Sequence, residues 1–219
     1  MPLDAKLRQR LERVLARVDD HDTRGTRLLD DARRLWTRVR TLLGMNLLPG
    51  EIETDPLELA CYALQFPARQ VRTLPTGKFG RTNLRDRAEQ AAEMLVTELT
   101  AWGEPVDVAV VDRATQILHE LPHRAPMLDE ARLLADAVNL DDFGMIGLLL
   151  QTIQLTRQGG GVTQAADGLQ KREQYGYWNA RLKEGFHFDP VRKIASARLE
   201  HLRAASALLE AELKEDGLA

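Results

Sequence analysis

The apolar positions along this chain recur with a helical period. In residues 28–43 apolar side chains stand three or four residues apart, and residues 3–18 repeat that spacing. Such a spacing places the apolar side chains on one face of a helix. The same argument predicts helices over 1–18, 28–43, 56–65, 86–102, 106–121, 128–138, 144–157, 165–178 and 190–216. Because no segment alternates as a strand does, the predicted fold class is all-α.

Turn signals mark the ends of several predicted helices. Asp55 and Asp189 each precede a proline, as expected for an aspartate N-cap followed by proline in the first turn. Glycine and proline interrupt the pattern at 74–83 and 157–163, but no repeat or low-complexity linker divides the chain. We therefore expect residues 1–219 to form a single multi-helix bundle. Its predicted core includes Trp36, Cys61, Tyr62, Leu64, Leu134, Ile146 and Leu149.

Composition narrows the classes of partner. With 219 residues, 44% of them hydrophobic, the chain can bury a substantial core. A formal net charge of -3 and a pI of about 6.0 provide no basic footprint, so we expect neither nucleic acid nor an anionic membrane as a partner. Cys61 is the only cysteine and cannot form an internal disulfide.

The distribution of charge also bears on localisation. The first ten residues have no apolar segment of the kind found in signal sequences, and the longest uncharged stretch, 143–156, is shorter than the roughly 20 residues of a membrane-spanning helix. These two observations predict a soluble, cytoplasmic protein.

Two histidine-containing segments are candidate metal ligands. His21 and Asp22 lie between the first two predicted helices, where an aspartate can equally well cap the second helix. His119 and His123 are four residues apart, which on a continuous helix places both imidazoles on one face. We expect Pro122 to end that helix and leave His123 in a loop. For both segments two interpretations remain open: a structural one, as a helix cap or a surface position at a helix end, and metal binding.

A run of basic residues is a candidate anion site. Its segment "TGKFGRT" lacks the spacing of a nucleotide P-loop, and no predicted strand precedes it. Guanidinium groups bind phosphates well, although a solvated loop is the favoured interpretation of these charges. The residues of the run are Arg69, Arg72, Lys78, Arg81, Arg85 and Arg87.

The segment 129–151 joins a polar-faced helix, an acidic corner and an apolar helix. It resembles the HD-domain superfamily of metal-dependent phosphohydrolases, in particular the bacterial subgroup related to nucleotide pyrophosphatases. The corresponding family segment reads Glu-Ala-x-x-x-x-Asp-Ala-Asp-x-Leu-Asp-x-x-Gly-x-x-Gly. Residues that keep their places here are Glu130, Ala131, Asp136, Ala137, Leu140, Asp141, Gly144 and Gly147. Segment 102–118 and the C-terminal residues Leu182, Ile194, Ala195 and Arg198 are similar to the same subgroup.

The resemblance implies an HD-like helical domain over the whole chain, but it fails at the family's metal ligands. Arg24 stands where the first histidine is expected, and Leu64, Gln65 and Phe66 stand where the His-Asp doublet is expected. Val138 replaces the second aspartate of the last motif. Arginine, leucine, phenylalanine and valine do not ligate a cation, so we expect no catalytic metal and no other cofactor.

Two functional hypotheses follow. The favoured one is a degenerate, non-catalytic HD-domain protein that binds a phosphorylated small molecule or a protein partner, with candidate ligand-binding residues Arg24, Arg27, Gln65, His123, Asp136 and Asp141. The alternative is an active metal-dependent phosphohydrolase that holds manganese, magnesium, iron or zinc through His21, Asp22, His119, His123 and Asp136. A scaffold that only self-associates into a homo-oligomer is a third interpretation.

Overall fold

The computed structural model describes residues 3–21, 28–71, 84–103, 106–157 and 159–217. None of these residues forms a strand, and most lie in α-helices, so the predicted all-α fold class is confirmed. The chain divides into two compact units, Met1–Ala135 and Asp136–Ala219. This division follows the density of internal contacts, and the single domain over 1–219 stays a prediction.

The N-terminal unit is built around one buried helix. Its helices are α1 (Ala5–His21), α2 (Leu28–Leu43), α3 (Thr54–Ala63), α4 (Phe66–Val71), α5 (Leu84–Trp102) and α6 (Val108–Glu120). Helix α3 is buried from Pro56 to Ala63 and packs against α2, α5 and α6. This central position explains why its sequence is apolar on nearly every face. The helix α7 (Asp129–Asn139) contains the boundary between the two units.

The C-terminal unit packs around a long final helix. After the 3-10 turn Leu140–Asp142 come α8 (Gly144–Arg157), α9 (Val162–Gln174), α10 (Tyr177–Glu184) and α11 (Asp189–Glu215). Helix α11 packs against α8, α9 and α10. Phe143 lies 5.6 Å from Trp178 and 5.4 Å from Phe186 between ring centroids, in tilted arrangements that stabilise aromatic clusters.

Several helices differ from their predicted bounds. The single helix expected over 165–178 is two helices, because Gly176 adopts a left-handed conformation (φ +67°) and separates α9 from α10. Helix α4 was not predicted, since its six residues are too few to establish a period. The N-terminal helix predicted over 1–18 is Ala5–His21, and the C-terminal helix predicted over 190–216 is Asp189–Glu215.

The predicted aspartate caps are also wrong. Asp55 and Asp189 lie inside the first turns of α3 and α11, and the cap positions are occupied by Glu53 and Phe188, neither of which makes a side-chain cap hydrogen bond. A carboxylate in the first turn still interacts favourably with the positive end of the helix dipole.

The predicted core is confirmed in the N-terminal unit and partly wrong in the C-terminal unit. Cys61, Tyr62, Leu64 and Leu134 are buried, and Trp36 is half-buried. In contrast, the α8 side chains expected in the core are exposed, Ile146 by 37% and Leu149 by 58%. Helix α8 uses other faces to pack against α9 and α11. An apolar composition therefore identified this helix correctly but not the side that it buries.

Two glycines near the start of α8 have packing roles. Gly144 has φ +78°, and a Cβ at this position would lie 3.2 Å from the Arg198 Cβ. A Cβ on Gly147 would lie 2.6 Å from the carbonyl carbon and oxygen of Asp142. These positions therefore require glycine to form the turn from the 3-10 segment into α8.

No membrane-spanning helix is found among the described residues, because none there combines the required length with the required hydropathy.

Candidate functional site

Asp136, the aspartate that matches the HD motif, is fully buried in α7. Its Oδ1 accepts the backbone N–H of His187 at 2.8 Å, and its Oδ2 accepts the backbone N–H of Phe188 at 3.1 Å. Both amides belong to the linker that immediately precedes α11. Buried amides need partners, and outside regular secondary structure a side chain often supplies them. Asp136 therefore fixes the start of α11.

A second set of hydrogen bonds extends this anchor along the same segment. Asn139 donates from Nδ2 to the Gly185 carbonyl oxygen. Arg181 Nη2 donates to Asn139 Oδ1 at 2.7 Å and to Asp142 Oδ2 at 2.8 Å. These polar side chains of the motif region thus bind residues of α10 and of the linker that follows it. Their geometry is that of a structural brace between consecutive parts of the C-terminal unit.

At the positions expected for the His-Asp doublet, the side chains are buried. Leu64 and Phe66 have no exposed surface, and Gln65 is 5% exposed. Arg87 of α5 donates from Nε to the Leu64 carbonyl oxygen at 2.9 Å and from Nη2 to Gln65 Oε1 at 3.2 Å. The predicted ligand-binding residue Gln65 therefore connects α5 to the turn between α3 and α4. Arg87 belongs to the basic run, of which Arg72, Lys78 and Arg81 lie outside the described residues.

Both predicted histidines of the 119–123 segment are exposed. His119 lies in the last turn of α6, and His123 lies in the turn beyond it, as Pro122 predicted. The Oε2 of Glu120, which follows His119, accepts the backbone N–H groups of Met127 at 2.5 Å and Leu128 at 2.8 Å, just before α7.

The remaining predicted residues divide between described and undescribed parts of the chain. Asp141 is half-buried in the 3-10 turn. His21 is the last residue of α1. Asp22, Arg24 and Arg27 lie outside the described residues. Within the described ranges, no group of three or more His, Cys, Asp or Glu side chains is placed to hold a metal ion.

A different site, not predicted from the sequence, lies in the N-terminal unit. It is a cleft of about 610 Å³ to which α1, α2 and α3 all contribute. We call it the arginine cleft. Its lining residues are Arg8, Arg33, Trp36, Thr37, Arg40, Thr54, Glu58 and Tyr62.

Two ion pairs fix guanidinium groups in the arginine cleft. Arg8 binds Glu58 through two hydrogen bonds, Nε to Oε1 at 2.6 Å and Nη2 to Oε2 at 2.8 Å. Arg33 binds Glu12 in the same way, at 3.1 and 2.8 Å. The hydrogen bonds to these carboxylates raise the pKa of each arginine further, so both guanidiniums stay charged. Bidentate pairing also fixes the plane of each guanidinium.

Tyr62 and Glu12 are joined at one side of the cleft. The Tyr62 hydroxyl donates to Glu12 Oε1 at 3.0 Å. Hydrogen bonds from Arg33, and then from Tyr62, lower the pKa of Glu12 in spite of its partial burial. Burial, followed by the negative charge of Glu12, raises the pKa of the Tyr62 phenol. Both groups therefore keep their ordinary neutral-pH charge states over a wide range of pH.

Arg40 and Trp36 of α2 line the cleft next to each other. The Arg40 guanidinium lies 5.9 Å from the centroid of the Trp36 ring, within the range of a cation–π interaction. In the described part of the chain, no carboxylate forms a salt bridge with Arg40. The sequence signal for this site is the spacing of 33, 36, 37 and 40 on one face of α2, and of 54, 58 and 62 on α3.

Comparison with known proteins finds no match: no protein-family model, no curated protein and no solved structure matches the chain. The resemblance to the HD-domain superfamily therefore rests on the sequence segments described above.

Proposed function

We infer that this chain is a degenerate HD-domain protein that works by binding, either a phosphorylated small molecule or a protein partner, and does not hydrolyse phosphate esters. One observation carries this proposal. Asp136, the matching carboxylate in the segment 129–151 that resembles the HD motif, is fully buried and binds two main-chain amides through its two oxygens. A carboxylate used in this way stabilises a linker and is poorly placed to receive a cation from solvent.

The positions of the expected doublet support the same conclusion. Leu64 and Phe66 offer no lone pair to a metal, and the Gln65 amide oxygen accepts a hydrogen bond from Arg87. A divalent cation needs several oxygen or nitrogen ligands to compensate for its lost hydration. The hydrolases that this chain resembles activate water with a metal ion, and these residues do not supply ligands for such an ion.

The proposal also covers localisation, source and partners. We expect a cytoplasmic, bacterial protein without a nucleic-acid or membrane partner. Self-association into a homo-oligomer is a separate outcome, which the mass in solution, measured by light scattering, decides directly. The HD-like domain over residues 1–219 is part of the proposal and not of the observed geometry.

Metal content and turnover test the proposal together. The purified protein is analysed for manganese, magnesium, iron and zinc, and is then assayed against nucleotides and phosphomonoesters with each ion added. We expect substoichiometric metal and no turnover above buffer.

Near-stoichiometric metal with turnover would establish the alternative, a metal-dependent phosphohydrolase with a rearranged ligand set. In that case His21→Ala, His119→Ala, His123→Ala or Asp136→Ala should abolish the activity. The matched control is His201→Ala, because His201 is exposed on α11 and belongs to no candidate ligand set.

A further inference from the structure

We propose that the arginine cleft binds a mononucleotide, with its phosphate against the guanidinium groups and its base against Trp36. This inference rests on the proposed function, in which the protein binds a phosphorylated ligand, but the cleft contains none of the residues at the HD motif positions. The volume of the cleft, about 610 Å³, lies within the range of roughly 300–1,000 Å³ typical of small-molecule sites.

The charges in the cleft favour an anion. Three guanidiniums, of Arg8, Arg33 and Arg40, line it. Two carboxylates oppose them: Glu58, whose side chain is 1% exposed beneath Arg8, and Glu12, whose side chain is 24% exposed beside Arg33. These five groups together carry one excess positive charge. The two carboxylates are also less accessible than their partners, since the side chains of Arg8 and Arg33 are 35% and 52% exposed.

The ion pairs leave donors for a ligand. A guanidinium has five N–H donors, and each bidentate pair uses two of them. Since Glu58 and Glu12 hold Arg8 and Arg33 in fixed planes, a phosphate binds there with little further loss of side-chain freedom. Arg40, which is exposed and forms no salt bridge with a described carboxylate, supplies the additional charge.

The aromatic side chain sets the class of ligand. Trp36 is half-buried and lines the cleft beside Arg40, so one part of its indole is available for stacking. Nucleobases stack on aromatic side chains, and Arg adds a cation–π contribution. The Thr37 side chain is exposed in the same lining and can bind a sugar hydroxyl. A net charge of -3 for the whole chain disfavours a nucleic-acid polymer, whose many phosphates need an extended basic surface, so the proposed ligand is a single nucleotide.

Calorimetric titration tests the inference. The probes are the nucleoside 5′-monophosphates, the corresponding nucleosides and inorganic phosphate. We expect at least one monophosphate to bind, inorganic phosphate to bind more weakly, and the nucleoside to bind most weakly. The primary variant is Arg40→Gln, because Arg40 forms no ion pair with a described carboxylate and its loss should not disturb folding. Loss of its charge-assisted contact should weaken nucleotide binding roughly tenfold to a hundredfold.

Two further variants separate the phosphate from the base. Trp36→Leu should weaken nucleotide binding roughly tenfold while leaving the affinity for inorganic phosphate unchanged. Arg34→Gln is the matched control, because it removes an arginine from α2 that does not line the cleft and should change neither affinity.

Three outcomes overturn the site. The first is that no monophosphate binds at millimolar concentration. The second is that Arg40→Gln and Trp36→Leu both bind the nucleotide as tightly as the natural protein does. The third is that Arg34→Gln weakens nucleotide binding as much as Arg40→Gln does. Metal-dependent turnover that persists in Arg40→Gln would instead overturn the proposed function, so the two failures are distinguishable.

Discussion

Arg8 binds both oxygens of the Glu58 carboxylate, and Glu58 is almost completely buried while Arg8 is about one-third exposed. The pair links α1 to the central helix α3, fifty residues away in sequence. A buried carboxylate is tolerated only when it is paired and hydrogen-bonded. Arg8 therefore stabilises the N-terminal unit, and it also lines the arginine cleft.

Replacement of Arg8 should destabilise the protein more than replacement of Glu58. Arg8→Met leaves the Glu58 charge buried without its partner, and we expect a loss of about 3 kcal/mol in the free energy of unfolding. Glu58→Gln keeps a hydrogen-bond acceptor and removes the buried charge, so we expect a loss of about 1 kcal/mol. Urea unfolding followed by circular dichroism measures both. Equal losses in the two variants would contradict the buried-charge argument.

Asp136→Ala should cost about 3 kcal/mol of unfolding free energy. The substitution removes both acceptors of the His187 and Phe188 amides, and each buried amide without a partner costs about 1–3 kcal/mol. Asp167→Ala is the matched control, because Asp167 is exposed on α9. Thermal and urea denaturation check the difference, and a melting temperature equal to that of the control would show that the two hydrogen bonds do not stabilise the linker.

Gly147→Ala should destabilise the C-terminal unit by about 2 kcal/mol. The new methyl group would lie 2.6 Å from the Asp142 backbone, which cannot move as a flexible side chain could. At Gly50 a Cβ meets nothing within 4 Å, so Gly50→Ala should change stability by less than about 0.5 kcal/mol. The two variants are compared by urea unfolding. An unchanged free energy of unfolding in Gly147→Ala would contradict the close approach of the Gly147 position to the Asp142 backbone.

Cys61 should be unreactive in the folded protein. The side chain has no exposed surface, and burial raises the pKa of its thiol well above the ordinary range. A chromogenic disulfide reagent at neutral pH should therefore react stoichiometrically in urea and negligibly without it. Fast reaction of the native protein would indicate that α3 opens more easily than its packing suggests.

Glu12 should make stability depend on pH in the acid range. Arg33, and then Tyr62, lower its pKa in the folded state, whereas in the unfolded chain the value is about 4.3. The stabilisation is therefore complete above about pH 4.3 and is lost as the pH falls through the lower, folded value. The difference in unfolding free energy between the natural protein and Glu12→Gln should shrink between neutral pH and about pH 3. A difference independent of pH would contradict the ion pair.

Local periodicity predicted the helices well where packing follows the same pattern. The helices predicted over 28–43 and 144–157 coincide with α2 and α8. The break at Gly176 was missed because a single glycine also occurs inside helices, and the apolar pattern continues on both sides of it. The exposure of Leu149 was missed because an apolar helix does not reveal which of its faces a neighbour covers.

The arginine cleft could not be predicted from the sequence for a related reason. Its residues come from three helices, at 8, 33–40 and 54–62. Positions 8 and 33–40 have the composition of a solvated helix face, and positions 54–62 belong to a helix that is apolar on nearly every face. Arg8 and Glu58 form a pair only because α1 and α3 both belong to the N-terminal unit. In contrast, the position of His123 beyond the end of α6 followed from Pro122 alone, since proline acts on the local backbone.

The hydrogen bonds of Asp136 have a consequence for the kinetics of solvent exchange. His187 and Phe188 lie in a bend between two helices, where amide protons normally exchange with deuterium within seconds to minutes once they are exposed. Their protons are held by a fully buried carboxylate, so they can exchange only when the contact between α7 and the start of α11 opens. Two amides of an irregular linker therefore acquire the protection of amides in a helix interior, and their exchange rates report the local opening of this part of the C-terminal unit.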